Sequence, residues 1–269
     1  MPRPFSCGVT FFRKTAHTDN MPAEYTHHLI AEYALRTLPA DVLKKIRPYL
    51  SLYFFGAQGP DFCFFYKFFP REKPNLGSYL HRQGGYTAFE TLKTLSARDP
   101  QTLAYALGYV THYAADTAFH PYVYAVAGNS SLRHTAFENA LDKYYRDRYP
   151  LATEPVHASL FHKKPYPSEK EKLFSIYTEI AQSTRRPPII KASFFRSLTR
   201  FNAYLPLSFQ IFSRCKLRER PQVFTTNAET LLRISYERAS NLFTAFLFCM
   251  KQNLPLPRAA FGKNYLTGK

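Results

Sequence analysis

Thr111-His112-Tyr113-Ala114-Ala115-Asp116-Thr117-Ala118-Phe119-His120-Pro121 sets His, Asp and His four residues apart in a stretch otherwise small, apolar and aromatic. Each step of four turns an α-helix by about 400°, so the three polar groups drift only about 80° around its axis. All three side chains then leave a buried helix on one face. Imidazoles and a carboxylate gathered in apolar surroundings need a partner, and a divalent metal ion satisfies them together. The pattern returns in His134-Thr135-Ala136-Phe137-Glu138, again His and carboxylate four apart. The stretch thus predicts an all-α fold and one wall of a metal cluster.

Outward from it, residues 101–127 carry the strongest helical pattern, with Pro121 expected to kink or end it. Upstream, Ile30, Ala34 and Leu38 fall at helical spacing in a helix over 25–38 that Pro39 stops, and 40–50 reads as a shorter helix. Two glycines and a proline in Phe54-Phe55-Gly56-Ala57-Gln58-Gly59-Pro60-Asp61 predict a break. The loop continues through an aromatic run, 62–69, that either lines a cleft or packs in the core. A helix begins near Ser78 and carries His81, weakened early by Gly84 and Gly85. Downstream, 130–146 holds His134 and Glu138, and 150–167 reads as irregular. Helices follow over 168–184, 189–215 and 227–252, punctuated by Pro187-Pro188 and Pro221. Residues 1–20 read as a disordered extension or as lying before a start at Met21. Residues 21–150 form the ligand-bearing helical half, and 151–269 a basic helical half packed into the same domain.

Composition narrows the function. The 269 residues include 25 Phe, 20 Tyr and no Trp, with low Gly and little β-branched alternation, which favours helix over sheet. No apolar run approaches the roughly 18 residues of a membrane span, and the first twenty residues lack the apolar core of a signal peptide. Cys7, Cys63, Cys215 and Cys249 show no CxxC spacing and are expected as reduced thiols in a cytoplasmic protein. The net charge is +17. Between 185 and 220 nine Lys/Arg face a single acidic residue, Glu219. Such a surface suits nucleic acid or an anionic membrane face, or is simply a solvated face. Gly56-Ala57-Gln58-Gly59 lacks the Lys-Ser/Thr of a P-loop, and nothing suggests a Ser/His/Asp triad.

The candidate ligands in chain order are His27, Asp61, His81, His112, Asp116, His120, His134 and Glu138. They exceed one tetrahedral ion, so two or three ions are implied. A two-metal site suits displacement at phosphorus, because each ion offsets charge on one reacting oxygen. His28, beside His27, leaves a register alternative; His17, His157 and His162 have no acidic partner at ligand spacing.

Thr26-His27 with Ile30 and Ala34, Gly59-Pro60-Asp61, Leu80-His81, His112-x3-Asp116, the following His-Pro and His134-x3-Glu138 stand in one order. That series resembles the bacterial zinc-dependent phospholipase C family, which includes the clostridial alpha-toxin catalytic domain and is related in fold and metal site to zinc-dependent single-strand nucleases. The resemblance covers about the first 150 residues. It implies a compact all-α domain with metals in an inter-helix cleft. It implies one zinc on Asp61, His81, His112 and Asp116, another on His120, His134 and Glu138, and a third where Asp116 meets His27. Asp61 would also serve as the base for the attacking water, and substrate phosphate would bridge the metals. Two departures stand out. Family enzymes often use an amino-terminal Trp at the third zinc, and this chain has no Trp. The secreted family enzymes usually place the third helix ligand ten residues after the first, whereas His120 follows His112 by eight. The expectation is a phospholipase C-like zinc phosphodiesterase acting on a phospholipid, with peripheral contact at an anionic membrane. A single-strand nuclease is the alternative in the same chemistry; a non-catalytic, metal-stabilised protein that docks on membranes or partners is the alternative outside it.

Overall fold

The computed structural model describes residues 24–66, 75–128, 130–152, 167–212 and 221–269, and every regular element among them is helical. The chain opens with α1 (Glu24–Leu35), α2 (Ala40–Ile46), a 3-10 turn (Arg47–Tyr49) and α3 (Leu50–Gly56). A second 3-10 turn (Asp61–Phe65), α4 (Leu76–Tyr79) and a π-helical turn (Leu80–Gly84) lead to α5 (Gly85–Ser96). The long helices are α6 (Pro100–Ala127), α7 (Ser131–Arg148), α8 (Pro167–Ser183), α9 (Lys191–Phe212) and α10 (Pro221–Gln252); α11 (Arg258–Phe261) is short.

The fold is built around α6, which is buried without interruption from Thr102 to His120. A helix apolar on every side has no solvent face to present and must sit inside. At its start the Asp99 side chain accepts from the backbone N–H groups of Gln101 and Thr102, and Pro100 fills the first position, where no donor is needed. Helices α1, α3, α5, α7 and α10 pack on it. The α3–α6 crossing is close because two glycines face each other's backbone: a Cβ on Gly56 or Gly108 would run into the carbonyl oxygen of Tyr105 or Tyr53. One apolar cluster joins α3, α5, α8 and the first half of α6; another joins α1, α7 and its second half.

Several boundaries differ from the sequence expectation. Pro121 does not end α6, which runs on to Ala127. The lost hydrogen bond is outweighed because Val123 and Ala127 are buried, and the freed Thr117 carbonyl is covered by Gly268, where a Cβ would stand 2.7 Å from that oxygen. The first helix stops at Leu35 rather than Leu38. The expected break at 54–61 is shorter, since α3 includes Phe54 to Gly56 and Asp61 opens a 3-10 turn. Gly84 and Gly85 do not interrupt the helical path; they fall at the junction of the π turn and α5. The last long helix starts at Pro221, earlier than expected, because a proline costs nothing at a helix's first position. The aromatic run splits. Phe62 is core, edge-on to Tyr177 at 4.9 Å and to Phe194 at 5.3 Å, whereas the Phe64 ring lies 5.0 Å from His81. Residues 1–20, 67–69 and most of 150–167 lie outside the described residues, as do Cys7 and Cys215; Cys63 and Cys249 are buried and free. No helix among the described residues is long and apolar enough to cross a membrane.

Candidate metal centre

Separate elements bring the eight side chains together. His27 comes from α1, Asp61 from the 3-10 turn and His81 from the π turn; His112, Asp116 and His120 come from α6, and His134 and Glu138 from α7. All eight are buried. Asp116 stands at the middle. Its Oδ1 is 3.5 Å from His27 Nε2, while its Oδ2 lies 3.2 Å from His112 Nε2, 3.5 Å from His81 Nε2 and 3.7 Å from His120 Nδ1. Asp61 Oδ1 lies 3.1 Å from His81 Nε2 and 3.8 Å from His112 Nε2. Glu138 Oε1 joins the rest, 2.6 Å from His134 Nε2 and 3.5 Å from His120 Nε2.

Three groups of donor atoms, each within 4.8 Å of one another, could hold a metal ion: His27, His112 and Asp116; Asp61, His81 and His112; and His120, His134 and Glu138. Ligands about 2.0–2.2 Å from a tetrahedral ion stand roughly 3.3 Å apart, which is the separation most of these pairs show. The unsatisfied atoms point the same way. Both Asp61 oxygens, Asp116 Oδ2, Glu138 Oε2 and both His112 nitrogens are buried without a hydrogen-bond partner. Orphaned acceptors at this density are costly in a folded core, and cations relieve the cost. His112 belongs to two groups but offers one Nε2, whereas Asp116 has one oxygen for each side, so Asp116 is the group able to bridge.

The electrostatics of the protein without metal are uneven. Burial, then the neighbouring His112, pushes His27 down to about 3, which leaves a neutral imidazole with a free lone pair. Burial also lowers His81, but the close carboxylates of Asp116 and Asp61 outweigh it and raise it to about 10. His120 is carried to about 9 because Asp116 and Glu138 overcome its burial. Asp116 is held well below the usual carboxylate range by His112 and His120 despite its burial, while burial raises Asp61. Protons therefore occupy His81 and His120 at neutral pH, and an arriving cation must displace them.

The supports around these side chains are as specific as the donors. His81 Nδ1 lies 2.8 Å from the Gly77 carbonyl oxygen, which aims Nε2 at the two aspartates. Gly59 (φ 55°) rests against His112, where a Cβ would come within 2.1 Å of the ring, so the loop that presents Asp61 needs glycine there. Asp142 on α7 accepts from the backbone N–H groups of Tyr25 (2.9 Å) and Thr26 (2.8 Å) and from the Thr26 hydroxyl (2.7 Å). It thereby caps α1 one residue before His27. Sequence reasoning missed Asp142, although His134, Glu138 and Asp142 repeat the four-residue step of His112, Asp116 and His120. Tyr124, edge-on to His134 at 4.8 Å, was missed as well. His28 turns away from the cluster: its Nε2 is 3.6 Å from Glu32 and its ring stacks on Phe54. His17, His157 and His162 lie outside the described residues.

Residues 26–186, more than half of the chain, match the family described as zinc dependent phospholipase C. The match spans α1 to α8 and contains all eight donors. No curated protein and no solved structure matches the chain.

Proposed function

The chain belongs to the zinc-dependent phospholipase C family, and we propose that it hydrolyses a phosphodiester bond of a phospholipid. Asp61, His81, His112 and Asp116 Oδ2 would hold one zinc, and His120, His134 and Glu138 a second. His27 and Asp116 Oδ1 would offer a third position without an amino-terminal Trp. The single observation that carries this reading is the convergence of all three donor groups on α6, with Asp116 between them. When bound, zinc acidifies water and offsets negative charge on phosphoryl oxygens.

The protein's own groups divide the remaining work. Asp61 is the catalytic residue: both its oxygens are buried without a hydrogen-bond partner, so one can hold metal while the other orients the attacking water and takes its proton. His81 and His112 flank it and stabilise the charge it carries. Thr26, Ala115, Phe119 and Leu141 border a small cavity beside His27, Asp116, His120 and Glu138, with room for a water-sized group.

One observation favours a second substrate. A net charge of +17 draws polyanions, and single-stranded nucleic acid is one. Hydrolysis of phospholipid and of single-stranded DNA, each measured with and without chelator, separates the readings. Chelator-sensitive lipid hydrolysis is expected. DNA hydrolysis alone would replace lipid with nucleic acid, and a fully zinc-loaded protein inactive on both would leave a metal-stabilised structural protein.

A further inference from the structure

The last part of the chain, after α10, lies outside the family match yet touches two donors on different elements. We infer that Tyr265 is a positioning residue of the metal centre, and that residues 257–269 act as a clamp joining its two halves. This rests on the metal-centre reading above. The Tyr265 N–H donates to the His81 carbonyl oxygen at 3.1 Å. The Tyr265 carbonyl oxygen lies 3.1 Å from His120 Nδ1. With Nδ1 directed at that carbonyl, Nε2, 3.5 Å from Glu138, is the nitrogen left to bind a metal. The Tyr265 ring is fully buried, 5.0 Å from the His81 ring and 6.0 Å from that of His112.

The clamp is itself fixed to α6. The Tyr113 hydroxyl donates to the Ala260 carbonyl (2.9 Å) and accepts from the Lys263 N–H (3.0 Å), and Phe261 packs against both Phe89 and Tyr113. The Gly268 N–H then closes a turn on the Asn264 carbonyl at 2.9 Å. One residue thus sets the main chain at His81, the tautomer of His120 and a wall of His112. His81 and His112 belong to one donor group and His120 to another, so the segment fixes the distance between them. His27 lacks any such contact with Tyr265 among the described residues.

The test uses the full chain stripped of metal and titrated with Zn2+ against a chromophoric chelator, and separately with Co2+ followed by its visible absorption. Tyr265→Ala is expected to weaken zinc binding about tenfold or more and to change the cobalt spectrum. Tyr265→Phe keeps the ring and is expected to retain both. Leu173→Ala removes buried core packing from α8, which holds neither a donor nor any part of the clamp; it should lower Tm but leave affinity and spectrum unchanged. If Tyr265→Ala does not fold, Tyr265→Leu keeps apolar volume and must still weaken zinc binding and alter the spectrum. Unchanged affinity and spectrum in the Tyr265 variant, or an equal loss in Leu173→Ala, overturns the clamp. A wild-type chain that takes up neither metal would instead overturn the metal-centre reading beneath it.

Discussion

Asp61, His81 and Asp116 differ in what they ask of the site, and their substitutions separate binding from chemistry. Asp61→Asn keeps one oxygen donor but cannot accept a proton, so it is expected to retain zinc while hydrolysis falls by about 10²–10⁴-fold. Normal turnover in that variant would remove Asp61 as the base. Asp116→Asn should lose metal as well as activity, because both carboxylate oxygens face donors. The raised His81 and His120 pKa values give a pH dependence of definite sign. Both are raised above the ordinary histidine value, so what they contribute to the metal-free fold is complete below about pH 6.5. That contribution is lost as pH rises through about 9 and about 10. Zinc competes with the same protons, so its apparent affinity should increase from about pH 6 to about pH 9, with proton release on binding. Calorimetry in buffers of different ionisation enthalpy measures that release; affinity that falls with pH would contradict the assignment. Much of this was legible from spacing, because His-x3-Asp and His-x3-Glu need only helical periodicity to share a face. His120 shows why spacing alone can mislead. Eight residues rather than ten still reach Glu138, since α6 stays helical through Pro121.

At the scale of elements, the donors depend on how helices start and how closely they cross. Asp142 caps α1 from α7, a contact across more than a hundred residues of chain. Asp142→Ala leaves the Tyr25 and Thr26 N–H groups unpaired and should cost about 1–2 kcal/mol. Denaturant unfolding measures the loss, and weaker metal binding through His27 should accompany it. Gly108→Ala would force α3 and α6 apart, an overpacking penalty of about 1–3 kcal/mol that thermal unfolding would report. A wild-type Tm in Gly108→Ala would show that the crossing is looser than described. These features were not legible in the sequence for a physical reason: a cap from another helix and a glycine at a crossing are set by tertiary packing, which periodicity within one element does not encode. Tyr265 is the extreme case, a single tyrosine in a tail with no pattern around it. The helices themselves were legible, and the errors lay at their ends, where proline and glycine suit a first turn or a buried junction as readily as a break.

Across the whole molecule, charge and metal act together. The excess of Lys and Arg gives a long-range attraction for anionic surfaces that salt screens. Of the basic stretch 185–220, Lys191 pairs with Glu171 at 2.7 Å and Arg186 lies over the Tyr79 ring, so part of it is bound into local structure; 213–220 lie outside the described residues. Binding to anionic phospholipid vesicles should weaken several-fold as salt rises above about 0.15 M, and an affinity indifferent to salt would contradict a role for net charge. Metal removal should lower Tm, because ions that bind only the folded state stabilise it by mass action. If α6 organises a multi-zinc hydrolase centre, elemental analysis of the purified chain will count its ions. Two or three zinc ions per chain are expected, lost together with hydrolysis on chelation. Fewer than two zinc ions in a folded and active protein would contradict it.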